Sequence, residues 1–236
     1  MVVRGIVLKS VHFSDTQKII RVFSQEKGYL SLITPSSLFK RKSHPLHLLQ
    51  ICEIEYLENE KGDLHKLRSA SPIHPLSQLY FDIVKMNIAL LWGEVLDLLL
   101  RNEGRNEALF DYVERSIEYL NDTQRDTANF NLVFFYRLAG LIGYRIDTDS
   151  WQEGYVFDLN GGRFCVADGR TPCVSGPYAA GLIYRLCTCP VEEIREIRLN
   201  REARTILLDT ILLFYSIHLN VDFNVKSIRV IREVFA

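Results

Sequence analysis

Residues 19–33 read IIRVFSQEKGYLSLI, two β-prone runs around a polar turn. The first run, 19–23, and the second, 28–33, are rich in β-branched and aromatic side chains. The polar residues between them end in Gly28, and short turns that contain glycine join antiparallel strands into hairpins. The sequence therefore predicts a β-hairpin over residues 19–33.

Three further β-prone runs flank this hairpin. Residues 3–9 alternate as a strand does, residues 48–57 form a long run, and residues 64–70 follow the polar turn 59–63. No segment with helical periodicity separates these runs, and five short strands without intervening helices are typical of a small barrel. We therefore predict an OB-fold over residues 1–75.

The periodicity of the chain changes after Pro72 and Pro75, which mark the predicted domain boundary. From Leu79 to Leu99, apolar side chains recur at helical spacing. Further helices are predicted over residues 107–120, 128–141, 178–186, 191–197, 202–219 and 226–234. Residues 76–236 are therefore expected to form a mostly helical domain.

One segment of this helical domain, residues 145–177, lacks helical periodicity and contains five glycines. Glycine at this density favours turns over regular elements. We predict an inserted β-hairpin or loop module, whose core would consist of Trp151, Tyr155, Phe157 and Phe164. The predicted fold class is α+β, with an N-terminal OB-fold β-barrel followed by a mostly helical domain with a small β insertion.

The charge of the chain is balanced overall but unevenly distributed. Residues 1–52 contain eight Lys or Arg and two acidic residues, a balance of 8 − 2 = +6. The other 184 residues contain 20 basic and 27 acidic groups, a balance of −7. A basic head on an acidic body indicates a module that binds a polyanion, and the alternative is a solvated basic surface without a ligand.

The sequence also bears on the compartment. No stretch approaches the roughly 18 uninterrupted apolar residues needed to cross a bilayer, and the first residues do not have the pattern of a signal peptide. The five cysteines are an odd number and form no regular framework. Free thiols are typical of a reducing compartment, so we expect a cytoplasmic, nucleoid-associated protein without a membrane partner.

No motif indicates an enzyme. The chain lacks a Walker loop, a G-x-S-x-G and an H-E-x-x-H, and its Asn160-Gly161-Gly162 is typical of a hairpin turn. Asp147 and Asp149 are close enough in sequence to bind a metal, but a solvated loop is the commoner setting for such a pair. We therefore predict a binding protein with no catalytic residues.

Several segments are similar to a known family. Residues 5–8 and 12–24 resemble the opening strand, turn and second strand of the RecO family of bacterial recombination mediators. Residues 62–70 resemble the last barrel strand of that family, and residues 208–231 resemble its last two helices. A weaker similarity covers residues 140–144. The segments occur in the order of the family and at about its length.

The resemblance implies an N-terminal OB domain and a C-terminal helical domain. It also implies binding to single- and double-stranded DNA, strand annealing, and loading of the RecA recombinase onto strands coated by single-strand-binding protein (SSB). RecR and the SSB tail would be direct partners and RecA an indirect one. The alternative is an RNA-binding or translation-associated OB-fold module, whose basic face would look the same.

Binding of nucleic acid by an OB-fold requires cations along the phosphate backbone and aromatic faces for base stacking. The basic cluster Lys40-Arg41-Lys42 is predicted to lie in a loop that reaches phosphates, although the same composition also suits a solubilising loop. The complete predicted interface adds further strand and loop residues, which are Lys18, Arg21, Lys27, Phe39, Lys66 and Arg68.

In the helical body, Arg137 follows the apolar stretch 132–136. A cation beside an apolar groove suits an acidic peptide that ends in Phe, such as the SSB tail. The alternative is an arginine that forms a salt bridge within the helical body.

The resemblance fails at one point. Members of the RecO family often have a four-cysteine zinc site, C-x-x-C-G followed by C-x-x-C. The corresponding positions of this chain are Ser150, Glu153, Cys165 and Asp168. Structural zinc requires four closed nitrogen or sulfur ligands, and only one thiol remains. We therefore predict a degenerate zinc-ribbon-like module without a metal cofactor.

Overall fold

The structure is a computed structural model, and it describes residues 1–40, 46–124, 127–169, 171, 174–220 and 227. Some side chains are outside this description, namely those of Lys40, Val174, Val191, Glu192 and Arg195. The chain divides into two compact units, Met1–Asp122 and Thr123–Ala236.

Five strands form a closed barrel at the start of the first unit, which confirms the predicted fold class. The strands are β1 (Val2–Ser14), β2 (Gln17–Ser24), β3 (Gly28–Pro35), β4 (Ile51–Leu57) and β5 (Leu64–Pro72). They are paired in the order β1-β2-β3-β5-β4, and β4 closes the barrel on β1. β3 and β5 are parallel, and the other neighbours are antiparallel.

Two details of the strands differ from the prediction. β1 continues to Ser14, beyond the predicted 3–9, because its second half pairs with the start of β2. The run 48–57 becomes a strand only from Ile51, since Leu49 has a φ of 58° and leaves the extended conformation.

The interior of the barrel follows from the two-residue alternation of strand side chains. Every strand contributes apolar residues to one core, which comprises Val3, Val7, Ile20, Val22, Leu30, Leu32, Leu46, Cys52, Ile54, Tyr56 and Leu67. Burial also raises the pKa of the Cys52 thiol to about 12. Side chains at the intervening positions point away from this core, onto helices or into solvent.

Three helices complete the first unit: α1 (Ser77–Phe81), α2 (Ile83–Leu99) and α3 (Glu107–Asp122). The single helix predicted from Leu79 to Leu99 is wrong, because the chain is extended at Asp82. The Asp82 carboxylate accepts hydrogen bonds from the amides of Val84 and Lys85, at 2.8 and 3.1 Å. Asp82 is therefore the N-cap of a new helix.

α2 and α3 pack closely on the outside of the barrel. The ring of Phe23 lies 5.9 Å from that of Phe110, centroid to centroid. Gly28, with a φ of +74°, lies where any β-carbon would be 2.4 Å from the backbone of Gly104. The barrel and these helices thus form one compact unit ending at Asp122. Independent folding of residues 1–75 stays a prediction.

The second unit is mostly helical around a small sheet. Its elements are α4 (Thr127–Leu141), β6 (Val156–Asp158), β7 (Arg163–Cys165), β8 (Val174–Ser175), α5 (Pro177–Thr188) and α6 (Arg201–Leu219). The segment Val191–Glu196, predicted as a helix, is a 3-10 helix. Asn200 caps α6, as its side chain accepts a 2.8 Å hydrogen bond from the Ala203 amide. The helix predicted over 226–234 lies outside the described residues apart from Ser227.

Aromatic packing holds the inserted sheet to the helices of the second unit. Trp151 packs edge-on against Phe164 at 5.2 Å and stacks on Tyr184 at 5.3 Å. Phe157 packs against Phe164 and, from α6, Phe214. Three of the four predicted core aromatics are thereby confirmed. In the part of the chain that the structure describes, no helix is long and apolar enough to cross a membrane.

The packing of α2 on the barrel predicts that Gly93 cannot be replaced without a loss of stability. A β-carbon at this position would lie 2.6 Å from a methyl of Leu48 and 2.9 Å from the carbonyl oxygen of Leu8. Because the carbonyl belongs to a strand and cannot rotate away, Gly93→Ala should lower the free energy of unfolding by about 1–3 kcal/mol. Denaturant titration followed by circular dichroism measures this change.

Gly140→Ala is the matched control, since Gly140 is also helical and has no atom within 4 Å of its β-carbon position. That variant should be neutral or more stable by up to about 1 kcal/mol, because alanine favours helix. Equal effects at the two glycines would contradict the close approach of α2.

Candidate nucleic-acid interface

The predicted basic residues of β2 point to opposite sides of the sheet. Lys18 and Arg21 are three residues apart in the strand, and successive side chains alternate between faces. Ile20 and Val22, on the side of Lys18, belong to the barrel core. Arg21 therefore points outwards, and Lys18 lies at the end of the strand on the core side. The predicted interface includes both residues, and the structure places them on opposite faces of β2.

Arg21 belongs to an outward-facing patch on β2, β3 and β5, which we call the strand face. Arg21 pairs across the sheet with Ser31 and donates a hydrogen bond to its hydroxyl. On the same side, Ile19 pairs with Ile33, and Ile33 pairs with Lys66. The strand face consists of Ile19, Arg21, Ser31, Ile33, Lys66 and Arg68.

Arg68 lies at an irregularity in the pairing of β4 with β5. Tyr56 pairs with Leu67 and Glu55 pairs with Ser69, so Arg68 has no partner residue in the ladder. Arg68 is the extra residue of a bulge, and both it and the neighbouring Ser69 are exposed on the outside of the barrel. Lys66 and Arg68 are both exposed, whereas Leu67 between them is buried. The structure thus brings three of the predicted cations, Arg21, Lys66 and Arg68, to one face of the barrel.

Lys18 and Phe39 meet at a second place. The ammonium of Lys18 lies 4.3 Å from the centroid of the Phe39 ring, a cation–π contact. Phe39 belongs to the 3-10 helix Ser36–Lys40 and packs against the barrel core. The Phe39 ring already contacts both the barrel core and the Lys18 ammonium, so stacking of a base on this ring would require Lys18 to move.

Phe13 is a better-placed aromatic that the predicted interface omits. It lies at an irregularity between the paired residues His12 and Ser14, and 55% of its surface is exposed. His12 pairs with Lys18 across the hairpin, so Phe13 adjoins a predicted cation. Its position beside the β1–β2 turn was the available sequence signal, but small barrels more often bury such aromatics.

Ion pairing separates the basic residues of the barrel into two groups. Arg4 pairs with Glu114 at 2.8 Å, and Lys9 pairs with Asp97 at 3.4 Å. Lys27, at the β2–β3 turn, reaches Glu58 at 4.0 Å. Among the described residues of the five strands, four cations form no ion pair with a carboxylate, and these are Lys18, Arg21, Lys66 and Arg68.

Lys27 is remote from the other predicted residues. β2 runs six residues from Lys18 to Ser24, or about 20 Å at the usual rise per residue. Lys27 lies beyond that end, in the turn. The predicted cluster Lys40-Arg41-Lys42 begins directly after Phe39, but the Lys40 side chain, Arg41 and Lys42 lie outside the described residues.

Arg137, the predicted anchor for an acidic peptide, is half-buried on α4. Its Nη2 donates a hydrogen bond to the carbonyl oxygen of Cys189, the C-cap residue of α5. Its Nε is buried without a hydrogen-bond partner among the described residues. Burial raises the pKa of the neighbouring Cys187 thiol to about 12, although the Arg137 charge opposes this shift. The Nη2 of Arg137 therefore caps the C-terminal end of α5, while its Nε has no hydrogen-bond partner among the described residues.

The residues at the family's zinc positions do not fit a zinc ion. The hydroxyl of Ser150 donates to the Asp147 carbonyl at 2.6 Å and accepts from the Phe164 amide at 2.8 Å. The Asp168 carboxylate accepts from the Thr171 amide and hydroxyl, at 3.1 and 3.2 Å. Only Cys165 offers a thiol, and a structural zinc site requires a closed set of soft ligands. Over the described ranges, no cluster of three or more His, Cys, Asp or Glu could hold a metal.

Comparison with known proteins identifies chains that are similar over nearly the whole length of this one. Residues 1–76 match the family model described as "Recombination protein O N terminal", and residues 80–227 match "Recombination protein O C terminal". The chain is 29% identical to the "DNA repair protein RecO" of Phocaeicola vulgatus, over 98% of both chains. It is 30% identical to the protein of that name from Porphyromonas gingivalis, over 93% of this chain and 92% of the relative.

The chemistry at Ser150 and at the other positions of the family's zinc site leads to a prediction about zinc content and about stability. We expect the purified protein to contain far less than one zinc per chain by elemental analysis. Because Ser150→Ala leaves the Phe164 amide without its acceptor, it should lower the free energy of unfolding by about 1–2 kcal/mol. Glu153→Ala, at another position that corresponds to a zinc ligand of the family and is exposed here, should change it by less than about 0.5 kcal/mol. Stoichiometric zinc, with loss of structure on chelation, would refute this account.

Proposed function

Since this chain belongs to the RecO family, we propose that it is a DNA-binding recombination mediator that works by binding alone, without catalysis. It would bind single- and double-stranded DNA, promote annealing, and help RecA to load, together with RecR, on DNA coated by SSB. In this mechanism the barrel neutralises phosphates while the helical body recruits partners.

The observation that carries the proposal is the group of unpaired cations on the barrel. Arg4 and Lys9 are paired with carboxylates of α2 and α3, so their charge is already balanced. Arg21, Lys66 and Arg68 form no ion pair with a described carboxylate, and all three lie on the strand face. Unpaired cations on a barrel can release the counterions of a nucleic acid backbone, which supplies most of its non-specific affinity.

The apolar part of the strand face suits a single strand. Ile33 lies on β3, between β2 and β5, and pairs with Ile19 of β2; both side chains are half-buried. Unstacked bases have apolar faces, which such side chains contact, while the flanking cations contact phosphates. The exposed ring of Phe13 offers a stacking surface. Contacts of these kinds tolerate any sequence, as a mediator of general repair requires.

The helical body would recruit the partners. Arg137 is half-buried, and its Nη2 donates to the Cys189 carbonyl oxygen, so a peptide carboxylate would bind the solvent-accessible part of the guanidinium with a charge-assisted hydrogen bond. This favours Arg137 as the anchor for the acidic SSB tail. RecR is proposed as a partner from the family alone, without a surface on this chain.

The salt dependence of DNA binding tests the strand face. Each phosphate contact to a single strand contributes about −0.7 to the slope of log affinity against log salt. A double variant, Lys66→Ala with Arg68→Ala, removes up to two contacts, so the slope should become shallower by about 1.4. Fluorescence anisotropy with a labelled oligonucleotide, repeated over a range of salt concentrations, measures it. Replacing Lys40, Arg41 and Lys42 together should reduce the slope by about 2.

Lys27→Ala is the control for this experiment, because Lys27 lies beyond the far end of β2 and near Glu58. Its slope should match that of the unmodified protein. Equal slopes for the control and the double variant would exclude the strand face. Competition with RNA of the same sequence completes the test, since a strong preference for RNA would contradict a role in DNA repair.

Binding of the SSB tail tests Arg137. Arg137→Ala should weaken the binding of an acidic peptide that ends in Phe by about tenfold, because one charge-assisted hydrogen bond is lost. DNA affinity should stay constant. Arg137→Lys is the control, because it keeps the charge and loses the fork of donors, and it should retain part of the affinity. Unchanged peptide affinity in both variants would remove Arg137 from the site.

A further inference from the structure

We propose that a cavity of the first unit, together with the exposed ring of Phe81 beside it, is the surface through which two copies of this chain associate. Each copy inserts its Phe81 into the cavity of the other, so the contact is two-fold symmetric. The cavity has a volume of about 720 Å³ and lies between the loop before β4, the segment after β5 and the first two helices. Its lining includes Pro72, Ile73, Leu76, Tyr80, Phe81 and Met86.

The walls of this cavity are held in place by hydrogen bonds. Gln50, in the loop before β4, is only 4% exposed, and its side-chain nitrogen donates to the carbonyl oxygen of His74 at 2.8 Å. The hydroxyl of Tyr80 donates to the carbonyl oxygen of Leu48 at 3.0 Å. These bonds join the loop to the segment after β5 and to α1, so the cavity exists before anything binds. A preformed cavity costs its occupant less free energy than one that must open.

Two large apolar side chains are exposed where α1 meets α2. Phe81 ends α1 and is 90% exposed, and Ile83 begins α2 and is 73% exposed. Removing apolar surface from water is favourable, and exposed apolar surface beside a cavity is typical of a protein contact. These side chains indicate a protein as the occupant, since a small molecule inside the cavity would leave both of them in water.

The charge of the surface favours a second copy as that protein. Among the described residues, no Asp, Glu, Lys or Arg lines the cavity. The nearby carboxylate of Glu118 lies 3.8 Å from the Nε2 of His74, and the carboxylate of Asp82 caps α2. A charged segment of another protein would find no counter-charge in this lining. An uncharged apolar surface, by contrast, can face its own copy without opposing like charges.

The surface contains both halves of such a contact. In a two-fold symmetric pair, a feature on one side of the axis meets the feature on the other side, in both directions. Phe81 projects from the rim of the cavity, so a projecting ring and a hole lie next to each other on one copy. A rotation axis between them brings the ring of each copy to the cavity of the other. The contact therefore closes at two chains.

The pair of chains supplies what annealing requires, which is two strands held at the same time. Each copy has one strand face, so the pair holds two strands in one complex. This consequence rests on the proposed function, whereas the association itself does not.

Sedimentation velocity of the full-length chain measures the association, in a reducing buffer because the chain has free cysteines. A small contact of this kind is expected to have a micromolar dissociation constant. The average mass should therefore rise from that of one chain towards that of two between about 1 and 100 µM. Phe81→Ser should keep the mass of one chain throughout, and Phe81→Leu should retain part of the association because it keeps an apolar side chain.

Leu213→Ser is the matched control, since Leu213 is an apolar residue of α6 in the second unit and is 48% exposed. This variant should associate as the unmodified chain does. Thermal melts at the lowest concentration check the folding of every variant. Because Phe81 is almost fully exposed, its replacement should leave the midpoint unchanged within about 2 °C.

Two results would overturn the proposal. One is an unmodified chain that stays single at every concentration, and the other is association that Phe81→Ser leaves intact. A single chain that instead binds a labelled apolar peptide, with Phe81→Ser abolishing that binding, would assign the surface to a different protein and would equally exclude the second copy.

Annealing of two complementary labelled oligonucleotides separates this inference from the proposed function. Phe81→Ser should bind each oligonucleotide with unchanged affinity and anneal the two at least about fivefold more slowly, because the strands are no longer held in one complex. Unchanged annealing by a variant that stays a single chain would refute the link to annealing. If the unmodified chain bound no oligonucleotide, the proposed function would fail, and sedimentation would still decide the association.

Discussion

A buried carboxylate on α2 connects the barrel to the helices that follow it. The Asp97 side chain is only 3% exposed, and it accepts a 2.5 Å hydrogen bond from the hydroxyl of Tyr29 on β3. Lys9 on β1 and Arg101 place their charges 3.4 and 3.3 Å from the same carboxylate. An isolated buried charge would be strongly destabilising, so the position of α2 depends on these three partners remaining in place. Burial and the adjacent carboxylate both raise the pKa of Tyr29, which keeps its phenol protonated as the donor.

This connection determines which part of the barrel can bind a ligand. The helices cover the outer face of β2 and β3 at the paired residues Phe23 and Tyr29. The strand face begins at the pair Arg21 and Ser31, which lies two residues away on each strand. Basic residues under the helices are balanced by carboxylates, whereas those of the strand face are not. The same packing that stabilises the first unit therefore divides its positive charge into a structural and a binding part.

Local patterns were sufficient to predict the five strands, most of the helices and the aromatic core of the insertion, because alternation, helical spacing and turn residues are encoded within short segments. The break at Asp82 was missed although an aspartate before a helical run is a known capping signal. The opposed directions of Lys18 and Arg21 could also have been read from their spacing. The site as a whole could not, since it depends on which barrel face α2 and α3 cover.

The central claim is that nucleic acid binds the barrel on the side that the helices leave uncovered. Hydrogen–deuterium exchange of the full chain, with and without an oligonucleotide, tests it most directly. The account predicts that the oligonucleotide slows exchange in peptides covering Gln17–Ser24, Gly28–Pro35 and Leu64–Pro72, while the buried face of Ile83–Leu99 is unaffected. Slower exchange confined to Ile83–Leu99 and Glu107–Asp122, with these strands unchanged, would contradict it.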